Sequence, residues 1–352
     1  METIPLKGRL LSIGTDRDLF KEGSAVRLRQ IEYAKMYEEV HIIVFKKRDA
    51  NSNYQASQNG HADPEEIAIA PNCYVYSTRS RSKLLYALDA IKLGTFIISR
   101  RKITSITCQD PFLTAHAGVA LKKKFNIPLE IQIHTDIGSP NFTRFFGNKI
   151  RKILAVRYIP FADHVRVVSN RIKDFLIQSH LSNPEQIEVR PIFVNTEALK
   201  NGPIILDLHA KYPQFKKIVL MASRLEKEKN IEAAIHAIKI VNQSVPDVGL
   251  VVVGSGSLLK QLRRLVTSLG LERIVAFESW ASKENLYSYY KTCDVFLLTS
   301  FYEGYGMTLV EAEAASATIV STDVGVSREV GAHIVGDSEL EIARGIIETL
   351  KQ

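Results

Sequence analysis

Short apolar runs alternate with amphipathic stretches along the first half of the chain. β-Branched runs predict strands, and an apolar residue at every third or fourth position predicts a helix. The predicted strands span residues 8–13, 40–45, 73–76, 105–108, 129–134, 164–168 and 188–192. The predicted helices span residues 25–37, 82–100, 111–125, 143–161 and 170–178. This alternation is typical of a parallel sheet with helices on both faces.

The alternation stops over residues 195–215, where turn formers such as Asn201, Gly202 and Pro203 predict a linker, and then resumes. The second series of predicted strands spans residues 217–222, 249–253, 274–277, 295–299 and 318–321. Its predicted helices span residues 230–242, 257–269, 283–292, 307–315 and 340–350. A length of 352 residues also favours two domains, which we place at 1–200 and 201–352. Two such sheets predict a ligand cleft at the carboxyl ends of their strands.

Composition and charge narrow the class of protein. No apolar run reaches the roughly 18 residues of a membrane span, and the polar N-terminus lacks the apolar core of a signal peptide. The polar segment 49–66 predicts a surface loop. Cys73, Cys108 and Cys293 fit neither a disulfide framework nor a zinc motif, so we expect thiols in a cytoplasmic protein.

The net charge of +8 is concentrated in the first half of the chain. Residues 1–195 hold 29 Lys and Arg against 19 Asp and Glu, whereas residues 196–352 hold 17 against 19. This imbalance indicates either an anionic partner for the first domain or cations that serve solubility alone. We expect no nucleic acid, and we consider an anionic membrane surface below.

The most informative motif lies between a predicted strand and a predicted helix, in the sequence SFYEGYGMTLVEA from residue 300. Glycines allow close approach of the backbone to a ligand, and amides at a helix start bind anions. Glu303 and Glu311 flank this place and can accept hydrogen bonds from sugar hydroxyls. Alternatively, Thr308 and Glu311 form a capping box. The candidate donor-binding residues here are Gly304, Gly306, Met307, Thr308, Leu309 and Glu311.

Two further motifs follow strands of the second domain. Arg224 and Lys229 stand just after the first of these strands, where a guanidinium and an ammonium suit a diphosphate. Gly254 and Gly256 form a strand-to-helix turn that lacks the third glycine of a dinucleotide fingerprint, because Leu259 occupies that position. We therefore expect a nucleotide against this turn rather than NAD.

Together these motifs resemble the retaining GT-B glycosyltransferases of family 4 (glycosyltransferase group 1), relatives of sucrose and glycogen synthases. The Glu-x7-Glu pattern, the Arg and Lys pair and the Gly-x-Gly turn occur in that family's order, and the likeness spans nearly the whole chain. In the first domain, Gly23 and Ser24 resemble the family's glycine loop, together with Gly14, and His134 resembles its strand-end histidine. The resemblance implies a GT-B fold, two Rossmann-like domains facing each other across a cleft.

The resemblance also implies the role of each residue. Arg224 and Lys229 hold the diphosphate and stabilise the leaving group, Glu311 binds the ribose, and Glu303 and His134 contact the donor sugar. The implied reaction moves a sugar from a nucleotide sugar to a glycan or lipid-linked acceptor, with no cofactor and no metal. The chain departs from the family at Ala315-Ser316-Ala317-Thr318, and it ends at Gln352, earlier than many relatives.

Two alternative functions stay open in the sequence. One is a sugar-nucleotide epimerase, and another is a silent partner subunit that binds nucleotide. Asp16 and Asp18 form an Asp-x-Asp motif. Because two carboxylates without further ligands make a poor metal site, we expect a solvated turn here. Read as a helix, residues 142–157 place bases around an apolar stripe that either enters a membrane surface or packs on its own sheet.

Overall fold

The computed structural model describes residues 7–48, 66–279 and 281–351, which form two α/β units. Unit 1 comprises residues up to Ile137 and Thr143–Arg190, and unit 2 comprises Gly138–Phe142 and the residues from Pro191 onward. The boundary thus falls at Arg190 instead of the expected residue 200. The reason is a short helix, α6 (Thr196–Asn201), which packs on unit 2 through its buried Leu199.

Unit 1 contains an eight-stranded sheet in the order β3-β4-β2-β1-β5-β6-β7-β8, in which β3 alone is antiparallel. Its strands are β1 (Lys7–Gly14), β2 (Tyr37–Val44), β3 (Glu66–Ala70), β4 (Cys73–Ser77), β5 (Ile103–Cys108), β6 (Leu129–Ile133), β7 (His164–Val167) and β8 (Ile187–Val189). Its helices are α1 (Ala25–Ala34), α2 (Tyr86–Arg100), α3 (Leu113–Phe125), α4 (Phe146–Tyr158) and α5 (Asn170–Gln178).

Unit 2 contains a fully parallel six-stranded sheet in the order β11-β10-β9-β12-β13-β14. Its strands are β9 (Lys217–Ala222), β10 (Val248–Val253), β11 (Val275–Glu278), β12 (Val295–Leu298), β13 (Ile319–Thr322) and β14 (His333–Val335). After α6 its helices are α7 (Leu208–Lys211), α8 (Ile231–Ser244), α9 (Leu259–Ser268), α10 (Lys283–Thr292), α11 (Met307–Ala314) and α12 (Glu339–Leu350). This strand order is that of a Rossmann fold.

The apolar alternation along the strands of unit 2 explains why both faces of its sheet are covered. Ile218 and Leu220 of β9 enter one core cluster, while Val219 and Met221 enter another. Each cluster is completed by the apolar face of helices on its own side, as the alternating strand–helix pattern predicts. The prediction of two parallel α/β domains is confirmed.

The remaining differences from the predicted elements are local. β3 and β14 were missed, since both are short and only partly buried. The predicted helix 143–161 is shorter, because α4 is flanked by 3-10 turns at Phe142–Arg144 and Ile159–Phe161. Residues 49–65 of the predicted surface loop and the N-terminal residues 1–6 lie outside the described part. Within the described ranges, every helix is too short or too polar to cross a membrane.

Candidate functional site

The strand order of unit 2 reverses between β9 and β12, which are neighbours in the sheet. Open α/β sheets bind ligands at the carboxyl ends of strands where such a reversal occurs. Two loops leave the sheet at these ends, the β9 loop (residues 223–230) and the β12 loop (residues 299–306). Arg224, Lys229 and Glu303 lie in these two loops, so the structure brings the predicted charges to the same edge of the sheet.

Lys229 and Glu303 form a close ion pair across the two loops. The Lys229 Nζ lies 2.5 Å from Glu303 Oε1, and the two side chains are only 12% and 15% exposed. The Ser300 hydroxyl donates to the same carboxylate oxygen at 2.7 Å. In a partly buried ion pair each charge compensates the other, so removing one side chain leaves the remaining charge uncompensated.

Backbone contacts fix the β9 and β12 loops to each other. The Phe301 N–H donates to the Glu228 carbonyl at 2.8 Å, and the Thr299 hydroxyl donates to the Lys229 carbonyl at 2.8 Å. Asn230 closes the β9 loop with a left-handed backbone, φ 50°, which asparagine tolerates better than most residues. The two loops therefore present their charged side chains from one rigid base.

Arg224 occupies the outer part of the same edge. Its side chain is 65% exposed, and its Nη2 donates to Glu228 Oε1 at 2.8 Å. Arg224 and Lys229 are thus both paired with carboxylates of their own unit. An exposed guanidinium can offer further N–H donors to a phosphate, since it carries five.

The N-terminus of α11 follows the β12 loop directly. Gly306 precedes it with φ 87°, a conformation that favours glycine, and no side chain caps the helix. Uncapped amides at a helix start carry partial positive charge and bind anions. Gly304, Met307, Thr308 and Leu309 surround this start, and their contact with a donor stays a prediction.

Glu311 does not close a capping box, because the helix begins at Met307 and its N-cap is Gly306. Its carboxylate instead accepts a hydrogen bond of 2.9 Å from the hydroxyl of Tyr290, a fully buried residue of α10. Burial raises the pKa of Glu311 above its ordinary value, and the Tyr290 hydrogen bond opposes that shift. The capping interpretation is therefore wrong, and Tyr290, which was not among the residues selected from the sequence, holds the Glu311 carboxylate.

The glycine turn after β10 has a packing role that was not predicted. The Leu225 N–H donates to Ser255 O at 2.9 Å, and a Cβ on Gly256 would collide with the Leu225 carbonyl. Glu226 adds hydrogen bonds from the N–H and hydroxyl of Ser257, at 2.8 and 2.7 Å. The turn thus supports the β9 loop, and contact of Gly254 and Gly256 with a nucleotide stays a prediction.

In unit 1, Gly23 and Ser24 stand at the start of α1. The Ser24 hydroxyl accepts the Arg27 N–H at 3.2 Å and caps the helix, and Gly23 has φ 70°. Asp16 accepts the Asp18 N–H at 3.1 Å, as expected of a turn. Among the described residues, no group of three or more His, Cys, Asp or Glu could hold a metal ion.

His134 directly follows β6, with its Nε2 3.2 Å from the Gln132 side-chain oxygen. The ring is solvent-accessible at the strand end, but desolvation by the surrounding protein and the positive charge of Arg166 lower its pKa to about 4. His134 is therefore a neutral imidazole at physiological pH, able to donate or accept a hydrogen bond. Its predicted contact with a donor sugar is not tested by the geometry of unit 1.

Part of the apolar stripe predicted over residues 142–157 faces solvent. Phe146, Ile150 and Ile153, spaced at i, i+4 and i+7, are 76%, 50% and 66% exposed. Phe142 and Ala155 are buried instead. Bases of the same region are also exposed, namely Arg144, Lys149 and Arg157. Since Phe145 and Leu154 of the predicted stripe are half-buried, its interpretation as a core face fails for Phe146, Ile150 and Ile153 only.

Known protein families match both units. Residues 209–351 match the glycosyl transferases group 1, and residues 32–198 match glycosyltransferase family 4. The chain is 26% identical over 287 residues to a D-inositol 3-phosphate glycosyltransferase of Corynebacterium aurimucosum, which covers 76% of this chain and 68% of that protein. The present chain spans 63%, 68% and 53% of the lengths of three curated relatives that it matches.

Solved structures share the fold at low sequence identity. Sucrose-phosphate synthase from Thermosynechococcus elongatus superposes with a TM-score of 0.72 at 19% identity, over 98% of this chain and 90% of that one. HepE of Anabaena, in complex with UDP, superposes with a TM-score of 0.66 at 20% identity, over 97% and 90%. These similarities do not favour the epimerase or the silent subunit.

Proposed function

Because this chain belongs to the group 1 glycosyltransferases with the GT-B fold, we propose that it moves a sugar from a nucleotide-diphosphate donor to a glycan or lipid-linked acceptor, with retention of configuration. The observation that carries the proposal is the meeting of Arg224, Lys229 and the uncapped start of α11 at the strand-order reversal of unit 2. Three sources of positive potential at one sheet edge suit a diphosphate.

The proposed mechanism is electrostatic. As the bond between the sugar and the diphosphate lengthens, negative charge grows on the leaving phosphate, and cations already in position stabilise it. Arg224 and Lys229 supply these cations, and the amides at the start of α11 add partial charge. The reaction therefore uses no divalent metal and no cofactor in this proposal.

The two carboxylates act on the parts of the donor that flank the diphosphate. Glu303, held beside Lys229, accepts hydrogen bonds from the donor sugar while the ammonium binds phosphate oxygen. Glu311, held by Tyr290, accepts from the ribose. His134 as a neutral imidazole contributes a hydrogen bond near the reacting face of the sugar.

A two-stage experiment tests the proposal. Thermal denaturation with UDP, GDP and ADP and their sugar conjugates identifies the donor; we begin with UDP because HepE of Anabaena binds it. A donor labelled in its sugar then distinguishes the reactions: a transferase releases the label from the nucleotide, whereas an epimerase keeps it there. Failure of every nucleotide diphosphate to stabilise the protein would overturn the proposed donor site.

We further propose that unit 1 attaches to an anionic membrane surface through the exposed face of α4. Burying Phe146, Ile150 and Ile153 in the headgroup region removes apolar area from water, at about 25 cal/mol per Å². The neighbouring Lys149 and Arg157 each contribute on the order of 1 kcal/mol near an anionic leaflet. Together these contributions are sufficient for reversible attachment beside a lipid-linked acceptor.

Vesicle flotation tests this attachment. The protein should float with phosphatidylglycerol vesicles and not with phosphatidylcholine vesicles, and high salt should weaken the binding. The double variant Phe146→Ser, Ile153→Ser should lose it. The matched control, Leu28→Ser with Met36→Ser, removes two exposed apolar side chains of α1 and its C-terminal turn and should float normally. Equal failure to bind both vesicle types would refute the attachment.

A further inference from the structure

Six bases follow two neighbouring strands of unit 1. The strands β2 and β4 are parallel neighbours, and their carboxyl ends run into the segments 45–48 and 77–83. Neither segment contains an Asp or Glu. We call this surface the cationic edge; its bases are Lys46, Lys47, Arg48, Arg79, Arg81 and Lys83.

The two segments of the cationic edge are joined by backbone hydrogen bonds. The Ser80 N–H donates to the Lys46 carbonyl, and the Arg48 N–H donates to the Ser80 carbonyl, each at 3.0 Å. The Thr78 hydroxyl adds hydrogen bonds to the Lys46 backbone, both at 3.1 Å. The bases are therefore carried by a continuation of the sheet, so their backbone positions are fixed.

Ser80 lies at the centre of this junction and is only 1% exposed. Its hydroxyl has no hydrogen-bond partner within the part of the chain that the structure describes. A buried hydroxyl without a partner costs free energy. Because four Arg and Lys residues neighbour this hydroxyl, an anionic ligand is a suitable acceptor for its hydrogen bond. The neighbouring Arg79 has φ 48°, a strained conformation of the kind that clusters at binding sites.

The surroundings add positive potential to the same place. The start of α2 follows Lys83 within three residues and lacks a side-chain cap, so the positive end of its dipole lies at this edge. The ion pairs found among the described residues involve none of Lys47, Arg48, Arg81 and Lys83. Hydroxyls alternating with bases over 77–83, in the sequence STRSRSK, offer neutral donors between the charges.

We propose that the cationic edge binds a phosphate group of the acceptor, with Arg48 and Arg81 on its oxygens and the Ser80 hydroxyl as a donor. This inference rests on the proposed function, since it assigns the acceptor's chemistry to the carboxyl edge of unit 1. The phosphate belongs either to a soluble phosphorylated acceptor or to a lipid headgroup.

Binding of inorganic pyrophosphate tests for a soluble phosphorylated acceptor. It is measured with saturating UDP, so that the donor site is occupied. Calorimetry should detect pyrophosphate binding to the full chain, and Arg48→Ala with Arg81→Ala should weaken it at least tenfold. The matched control, Lys102→Ala with Lys124→Ala, removes two exposed bases that precede β5 and end α3, at the opposite edge of the sheet. It should bind pyrophosphate normally.

Vesicles containing phosphatidic acid, compared with pure phosphatidylcholine, test the lipid source with the same variants. A loss confined to the vesicle experiment would assign the phosphate to a lipid headgroup, and a loss confined to pyrophosphate would assign it to a soluble acceptor. If the Arg48 and Arg81 variant matches wild type in both experiments, the inference is wrong. UDP stabilisation is measured throughout, so failure of the donor site is recognised separately.

Ser80→Ala separates a ligand role from a structural one. The substitution removes a buried hydroxyl that has no described partner, so the thermal midpoint should stay unchanged or rise. Phosphate binding should nevertheless weaken about threefold to tenfold, equivalent to about 0.7–1.4 kcal/mol. A lower thermal midpoint with unchanged phosphate binding would show that the hydroxyl serves the fold alone.

Discussion

The two sheets carry their positive charges in opposite ways at their carboxyl edges. In unit 2 the two cations of the proposed donor site are paired with carboxylates, Arg224 with Glu228 and Lys229 with Glu303. In unit 1 the segments of the cationic edge contain bases and hydroxyls but no acid. A ligand of unit 2 thus meets charges already held in place, whereas an anion near unit 1 meets a field that extends into solution.

This difference shows that paired charges favour a stable, ordered site, whereas a cluster of like charges favours attraction of anions. Paired charges orient one another and provide the prearranged dipoles that electrostatic catalysis requires. A cluster of bases in segments that contain no acid attracts anions from a distance but repels itself, and salt screens both effects. We therefore expect substitutions in unit 2 to change both stability and donor binding, and substitutions at the cationic edge to change binding alone.

The largest expected effect is at the Lys229–Glu303 pair. Lys229→Met leaves a carboxylate that is 15% exposed without its cation, which should destabilise unit 2 by about 3 kcal/mol and abolish transfer. Adding Glu303→Gln should recover much of the stability but none of the activity. Chemical denaturation and labelled-donor assays measure the two effects, with Lys227→Met in the same loop as the control. Additive stability effects would contradict the coupling.

The second largest effect is at Arg224. Arg224→Ala should weaken UDP binding by about 1.5–3 kcal/mol, because a charge-assisted contact to phosphate is lost. Stability should change little, since the Arg224 side chain is 65% exposed. Calorimetric titration with UDP measures this change. Unchanged affinity would place the diphosphate elsewhere and remove the donor site from this edge.

Most elements of the fold were predictable because strands and helices here are long, periodic and buried. The strand Lys217–Ala222 and the helices Asn170–Gln178 and Lys283–Thr292 begin and end where the apolar pattern does. The three-residue strand His333–Val335 carries too little pattern to be recognised. Short edge strands are therefore the elements that a pattern of apolar positions detects least.

The charged donor residues were predictable because their loops follow strands that the pattern had located. Tyr290 was not, since it lies 21 residues before Glu311 and reads as one more apolar position of α10. Ser80 was equally hidden, because only packing reveals that a serine among bases is buried and without a partner. A sequence shows where the charges lie and which positions repeat, but only the folded structure shows which side chains contact a candidate site residue.

A smaller effect should follow from removing the Tyr290 hydroxyl. Tyr290→Phe deletes the hydrogen bond that opposes the raised pKa of Glu311, so that pKa should rise further. UDP affinity should fall by about 1 kcal/mol. Since only ionised Glu311 serves purely as an acceptor, affinity should decline as pH falls through its pKa, and this decline should begin at higher pH in the variant.

Affinity for UDP as a function of pH measures the shift, with Tyr287→Phe as the control. Tyr287 stands on the same helix and close enough to Glu311 to feel its charge, but no described hydrogen bond joins the two. A pH profile that is identical in Tyr290→Phe and wild type would mean that Glu311 does not bind the donor in its ionised form.

The smallest expected effect is that of removing divalent metal, which should change transfer by less than about twofold. Arg224, Lys229 and the uncapped start of α11 already supply positive charge where the leaving phosphate develops negative charge, so a metal ion would duplicate them. Transfer assays with a chelator measure this, and Asp16→Asn with Asp18→Asn should behave like wild type. Activity lost in chelator and restored by magnesium or manganese would show that the cations of unit 2 are insufficient. If the Asp16 and Asp18 variant also lost that metal response, the metal would belong to the turn after β1 of unit 1.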